Sequence, residues 1–275
     1  MNIVILSGKG GTGKTTLSTN LSLLLNANYI DCDVEEPNGF IFLEPENLSK
    51  KVVEVEVPKI NEDKCNLCGD CTKACQFNAL AKGKNRIILF EKLCHSCGTC
   101  GLVCPMDAID FGKRPIGIIE EGKKEGILLK RGVLDIGEPM AVPVLKNLLE
   151  DLPIDEINIL DSPPGTSCNV VNVLDYGDYA ILVTEPTAFG LHDLKMAIKL
   201  VNDLNIPYGL IINKLDKGNK FLDQYIESEN INLLGTIPYS RKIAEYYSRG
   251  ETLLGIKETQ EAFLHIIKNL QEEIL

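Results

Sequence analysis

Short unbroken apolar runs punctuate this chain: NIVILS at 2–7, INILD at 157–161, YAILVTE at 179–185, YGLIINK at 208–214 and LLGTIP at 233–238. Runs of that length read as strands buried on both faces. Between them apolar residues return at helical spacing, as Leu17, Leu21, Leu24 and Leu25 do, and Leu191, Leu194, Ile198 and Val201. NYIDCDVEEPN at 28–38 predicts a second strand that ends in acidic residues and a proline turn. GIIEEGKKEGILL at 117–129 predicts a hairpin with a Gly-Lys-Lys turn. Strands alternating with helices imply parallel βαβ units, hence an α/β fold with a mostly parallel sheet and helices on both faces. In the tail, Phe263, Ile266, Ile267, Leu270 and Ile274 share one helical face, which predicts a helix packed on the core.

The rhythm breaks between residues 58 and 113. Eight cysteines cluster there, in two runs, CNLCGDCTKAC (65–75) and CHSCGTCGLVC (94–104). They form an internal repeat of 29 residues: Cys65, Cys68, Cys71 and Cys75 map onto Cys94, Cys97, Cys100 and Cys104, and FNAL at 77–80 maps onto MDAI at 106–109. The repeat extends past the cysteines, which predicts a pseudo-twofold module. The simplest organisation joins residues 1–57 and 114–275 into one sheet domain and makes 58–113 an α+β insertion whose ends lie close together.

Composition narrows the classes. The chain has 275 residues, 44% hydrophobic, enough for one large domain and a small one. Its net charge of −11 argues against nucleic acid or an anionic membrane surface as partner. No run of about 18 apolar residues predicts a membrane span, and the N-terminus does not read as a secretory leader. Ten cysteines without an export signal point away from disulfides and toward a reducing cytoplasm. Cys32 and Cys168 stand outside the two runs.

Between the first strand and helix lies Gly8-x4-Gly13-Lys14-Thr15, a complete phosphate-loop match in the required strand–turn–helix context. Gly8, Gly10, Gly11 and Gly13, with Thr12 and Thr16, let backbone N–H groups wrap phosphates at a helix N-terminus. Lys14 is expected to reach the terminal phosphates, and Thr15 to hold Mg²⁺. A second lysine, Lys9, gives GKGGTGKTT, which resembles the deviant phosphate loop of the MinD/ParA class. That class includes the nitrogenase iron protein, Mrp-type iron–sulfur carriers and nickel-insertion ATPases. The resemblance implies an ATP-dependent homodimer in which Lys9 crosses to the partner's nucleotide. It makes Asp31 and Asp33 a first switch, with Asp33 orienting the attacking water. It makes Asp161 of ILDSPPGT the carboxylate that holds Mg²⁺, with Pro163, Pro164 and Gly165 a second switch. Asn213 and Lys214 would flank the base, and Pro238 of TIPYS would lie against adenine. NKLD also resembles the guanine motif of GTPases; the rest of the chain follows the MinD class, which favours ATP. The tail is acidic, unlike the basic membrane helix of MinD, so no membrane partner is expected.

Each cysteine run reads C-x2-C-x2-C-x3-C, the bacterial ferredoxin spacing, in which the fourth cysteine ligates the other cluster. This pattern assigns Cys65, Cys68, Cys71 and Cys104 to one [4Fe–4S] cluster, and Cys94, Cys97, Cys100 and Cys75 to a second. Pro105 follows Cys104 as in the family; Gln76 after Cys75 departs from it. Structural zinc in Cys₄ sites is the competing reading. His95 reads as a surface residue beside one cluster, His192 as structural in a helix capped by Thr187, and Cys168 as a small buried residue or a bridging ligand. As a whole the chain resembles MinD-superfamily ATPases carrying a two-cluster ferredoxin domain. That implies ATP hydrolysis, partner-stimulated, coupled to electron transfer toward a redox or metalloprotein partner. The alternative is a cluster-carrier or metallocentre-assembly ATPase of the Mrp type. A third reading is a MinD- or ParA-like spatial organiser with no use for iron.

Overall fold

Residues 1–274 are described by the structure, a computed structural model. The chain opens with β1 (Asn2–Leu6), the glycine-rich turn and α1 (Lys14–Leu25), then β2 (Asn28–Asp31) and a single turn, α2 (Phe40–Leu43). It continues into β3 (Glu46–Ile60), a strand of 15 residues. A small region follows with α3 (Asp70–Ala74), β4 (Leu80–Lys82), β5 (Ile87–Leu89) and α4 (Thr99–Leu102). Strand β6 (Ile109–Lys124) runs back antiparallel to β3, and β7 (Ile127–Leu134) follows it. The remainder is α5 (Val142–Leu149), β8 (Asn158–Asp161), α6 (Cys168–Leu174), β9 (Tyr179–Thr184), α7 (Ala188–Asp203), β10 (Tyr208–Leu215), α8 (Asp223–Ser228), β11 (Leu233–Pro238), α9 (Arg241–Ser248) and α10 (Lys257–Ile274).

Among the described residues nine strands form one sheet in the order β11-β10-β9-β1-β8-β2-β7-β6-β3. From β11 to β7 every neighbour is parallel; β6 and β3 extend that edge antiparallel. The two-residue period of β1 explains the layering. Val4 and Leu6 face a core shared with Val144 and Leu148 of α5, Val170 of α6 and Leu194 of α7. Ile3 and Ile5 face the opposite core, with Leu17 and Leu21 of α1 and Phe263, Ile266 and Leu270 of α10. The tail is therefore a core-packing helix. Among the described residues no helix is long and apolar enough to cross a membrane.

Two features differ from the sequence reading. The β6–β7 turn lies at Glu125 and Gly126 rather than at Gly-Lys-Lys, because both turn positions adopt positive φ (51° and 89°), which glycine tolerates. Strand β3 was not foreseen, although Val53, Val55 and Val57 alternate with Glu54 and Glu56 and are the buried side of the ladder.

The 29-residue repeat is written into the backbone. Positive φ recurs at Leu67 and Ser96, at Gly69 and Gly98, and at Asn78 and Asp107. Ala79 N–H donates to Cys75 Sγ, and Ala108 N–H to Cys104 Sγ, both at 3.3 Å. Asn61 N–H bonds Ala108 O, and its counterpart Phe90 N–H bonds Ala79 O, each at 2.8 Å, so each half closes on the other. Strands β3 and β6 enter and leave this region side by side, with Pro58 opposite Phe111 and Lys59 opposite Asp110. Beside that exit, Arg114 of β6 donates to Glu138 at 2.5 Å, with both side chains mostly out of water.

Candidate functional site

The turn between β1 and α1 takes its shape from Gly13. Its φ of 95° is the left-handed region, and a Cβ there would run into Asn213 Nδ2. Asn213 in turn donates to Thr12 O at 2.6 Å, fastening the turn to β10. Lys14 is buried with its Nζ 3.1 Å from the Ser7 hydroxyl. Burial holds its pKa below the usual lysine value, against the opposing pull of Asp161 and Asp33. Phosphate oxygens would offset that desolvation, so the loop fits a polyphosphate.

Three acidic residues face the turn from the neighbouring strand ends. Asp161 closes β8, in register with both Ile5 and Asp31. Its Oδ2 accepts from Tyr29 Oη at 3.0 Å, while Oδ1 is buried and makes no hydrogen bond. A buried carboxylate oxygen without a partner beside a phosphate loop suits a cation, and Thr15 and Asp161 are the residues that would hold Mg²⁺. Burial raises Asp161's pKa, with neighbouring hydroxyls and Lys14 opposing. Burial and then the Asp161 charge push Asp31 up to about 8 and Asp33 to about 6. After β8, Gly165 N–H bonds Ser7 O at 2.9 Å, which ties the Pro163-Pro164-Gly165 segment to the phosphate turn.

A cavity of about 440 Å³ opens over the turn. Among the sequence-predicted residues, Gly10, Gly11, Gly13, Lys14, Thr15, Thr16, Asp33, Asn213, Lys214 and Pro238 line it. Gly8, Lys9, Thr12 and Asp161 do not. Gly8 abuts Asp193 in the second turn of α7, and Thr12 is buried. Lys9 folds back in the same chain, its Nζ 3.4 Å from Glu185. Glu185 also grips Lys214 at 2.6 Å, and Lys214 Nζ donates to Gly11 O at 2.8 Å. Tyr239 of TIPYS lines it too, and Tyr247 and Asn38 join the wall from outside the nucleotide motifs. Tyr247 is set by its ring contact with Phe42 of α2, 5.1 Å between centroids.

The cysteines wall two smaller cavities. Cys65, Cys68 and Cys71 meet Cys104 around one; Cys94, Cys97 and Cys100 meet Cys75 around the other. Each cavity thus draws on both halves of the repeat. Among the described residues, no three His, Cys, Asp or Glu side chains converge closely enough to hold one metal ion. Burial raises the Cys71 and Cys100 thiols, whereas the Thr99 hydroxyl lowers Cys97. His95 is exposed and stacks on Phe77 at 3.8 Å, over the second cavity. Cys168 corrects one expectation: at the first position of α6 it is exposed rather than buried. Cys32 is fully buried at the end of β2. Thr187 caps α7 by accepting from Gly190 N–H at 3.0 Å, and His192 lies in that helix.

The family model described as the CobQ/CobB/MinD/ParA nucleotide binding domain matches residues 3–253. The chain belongs to this family. Among the relatives of this MinD/ParA-type nucleotide-binding protein is an uncharacterised protein of Methanocaldococcus jannaschii, 38% identical over 92% of this chain and 91% of that one. The iron–sulfur cluster carrier protein of Pyrococcus abyssi is 24% identical over 99% of this chain and 86% of its own. The septum site-determining protein MinD of Pyrococcus horikoshii, solved with Mg-ADP, shares the fold. It has a TM-score of 0.61 and 18% identity over 98% of this chain and 95% of that one.

Proposed function

We propose that this chain is an ATP hydrolase of the MinD/ParA type that couples nucleotide-driven dimer switching to electron transfer through two [4Fe–4S] clusters. The observation that carries this reading is the pair of cavities, each walled by four thiols from both halves of the repeat. Thiols that surround a space suit a cube, which presents a metal at each of four corners, better than a single zinc ion. The region of residues 58–113 is then a ferredoxin-like insertion in the sheet domain of 1–57 and 114–275. Bound cubes supply one-electron chemistry, and the chain's own residues do the rest. Cys65, Cys68, Cys71 and Cys104 hold one cube, and Cys75, Cys94, Cys97 and Cys100 the other. The Ala79 and Ala108 amides donate to two of the thiolates, which raises the potential of the group they hold.

At the nucleotide, Lys14 holds the terminal phosphates, Thr15 and Asp161 hold Mg²⁺, and Asp33 orients the attacking water. Lys9 leaves Glu185 when two copies meet and reaches the partner's nucleotide. The phosphate state sets the loops after β2 and β8, and so the pose of the cysteine region against a redox or metalloprotein partner. No nucleic-acid or membrane partner is invoked, and a reducing cytoplasm is the compartment this chemistry needs.

The carrier relatives favour a second reading, delivery of clusters to other proteins. Iron release to a chelator, measured on anaerobic protein with and without MgATP, separates the two. Retention of about eight irons per chain in both states is expected. Release of about four on adding MgATP would replace electron transfer by delivery.

A further inference from the structure

Tyr29 occupies a place that phosphate-loop chemistry alone does not require. It is fully buried one strand away from β8, and its hydroxyl lies 3.0 Å from Asp161 Oδ2 and 3.2 Å from Asp31 Oδ2. Asp31 in turn accepts the Gly39 N–H at 2.9 Å and the Asp33 N–H at 3.2 Å. Residues 33–39 are therefore tied, through Asp31 and one phenol, to the carboxylate that faces the cation position. Gly39 lies so close over Tyr29 that a Cβ there would collide with the phenol oxygen. The ring itself packs with Phe40 and Leu43 of α2 and with Leu129 of β7. Helix α2 leads after two residues into β3, the strand that runs into the cysteine region.

We infer that Tyr29 is a positioning residue that transmits cation loading at Asp161 to the loop of residues 33–39. This rests on the nucleotide-binding part of the proposed function and not on its iron chemistry. The phenol has one proton and two carboxyl oxygens within reach, Asp161 Oδ2 and Asp31 Oδ2, so it donates fully to only one of them. A cation at Asp161 withdraws electron density from that carboxylate and weakens it as an acceptor. The O–H then turns to Asp31, which changes how strongly Asp31 grips the Gly39 and Asp33 amides. The loop thereby has two arrangements that the cation selects between, the physical requirement for coupling two sites.

The test uses the full iron-loaded chain, wild type and Tyr29→Phe, a change that removes one oxygen and keeps the ring. ADP affinity is measured with Mg²⁺ and in a chelator, and amide exchange is followed over residues 33–43 in the same states. In the wild type, Mg²⁺ is expected to change protection across 33–43. In Tyr29→Phe, metal-free ADP affinity should stay as in the wild type, while the gain from Mg²⁺ shrinks by about tenfold, the scale of one hydrogen bond to a charged group. The Mg²⁺-dependent protection of 33–43 should vanish with it, and protection of the phosphate turn should remain. An unchanged Mg²⁺ gain, or an equal loss of metal-free and Mg²⁺-bound affinity, overturns the inference. So does a wild-type loop indifferent to Mg²⁺, whatever the variant does. Failure of the wild type to bind ADP at all would instead strike the nucleotide reading on which the inference stands.

Discussion

Around the phosphate turn, Ile3, Ile5, Leu17, Leu21, Ile159 and Ile181 are completely shielded from water in one core on a single face of the sheet. Around the thiols, the shielded apolar side chains are Leu80, Ile87, Ile109, Val57, Ala79 and Ala108, with Cys71 and Cys94 themselves among them. Phe77, Phe90, Leu93 and Leu102 of the same region face solvent. One site borrows its precision from a large sheet core. The other has less apolar burial to hold its loops, so under the proposed function the clusters held by its thiols would supply much of its order. The contrast says that the two halves should fail separately.

The sharpest way to break that separation is to remove iron from protein prepared anaerobically with it. Anaerobic stripping of iron should abolish amide protection across 61–108 while leaving that of β1, β8 and α1 intact. A parallel collapse of both would show one cooperative unit instead of two. Next in size, Lys14→Ala should weaken nucleotide binding by roughly 100-fold, the value of a buried charge-assisted contact. Iron content should not change, and an equal loss of iron would sink the separation from the other side.

The base of β6, where the strand leaves the cysteine region, offers a smaller test. Glu138→Ala leaves Arg114 as an uncompensated charge where β6 leaves the cysteine region, and should cost about 3 kcal/mol in denaturant unfolding. An effect below about 1 kcal/mol, as for surface pairs, would mean that this contact does not anchor the base of β6 within the sheet domain.

The last test belongs to the sheet domain. Asp31 and Asp33 have pKa values pushed up by burial and by Asp161, to about 8 and about 6. An acid with a higher pKa folded than unfolded binds more protons in the native state. Stability therefore falls as pH rises from about 4 to about 8. Metal-free, nucleotide-free protein should melt at a lower temperature at pH 8 than at pH 5, and Asp31→Asn should flatten the slope. The same slope in that variant would assign it elsewhere.

Much of this molecule is legible one residue after another. The run of residues 8–16 specifies a phosphate loop because its chemistry is local: glycines for the turn, a lysine and a threonine at the helix start. The cysteine spacing and its 29-residue echo are equally local, and the echo reappears as paired backbone angles at 67 and 96, 69 and 98, 78 and 107. Even β3 was there to be read in the alternation VVEVEV at 52–57. What the sequence by itself could not determine lies across long separations. Tyr29 meets Asp161 from 132 positions away, Lys9 finds Glu185 in its own chain, and Tyr247 enters the nucleotide cavity on the ring of Phe42. Cys168, read as buried, stands exposed because α6 offers its first turn to solvent. A spacing pattern records which atoms can meet along one element. Which side chains meet between elements is decided by strand order and helix packing, and these are settled only when the whole sheet has formed.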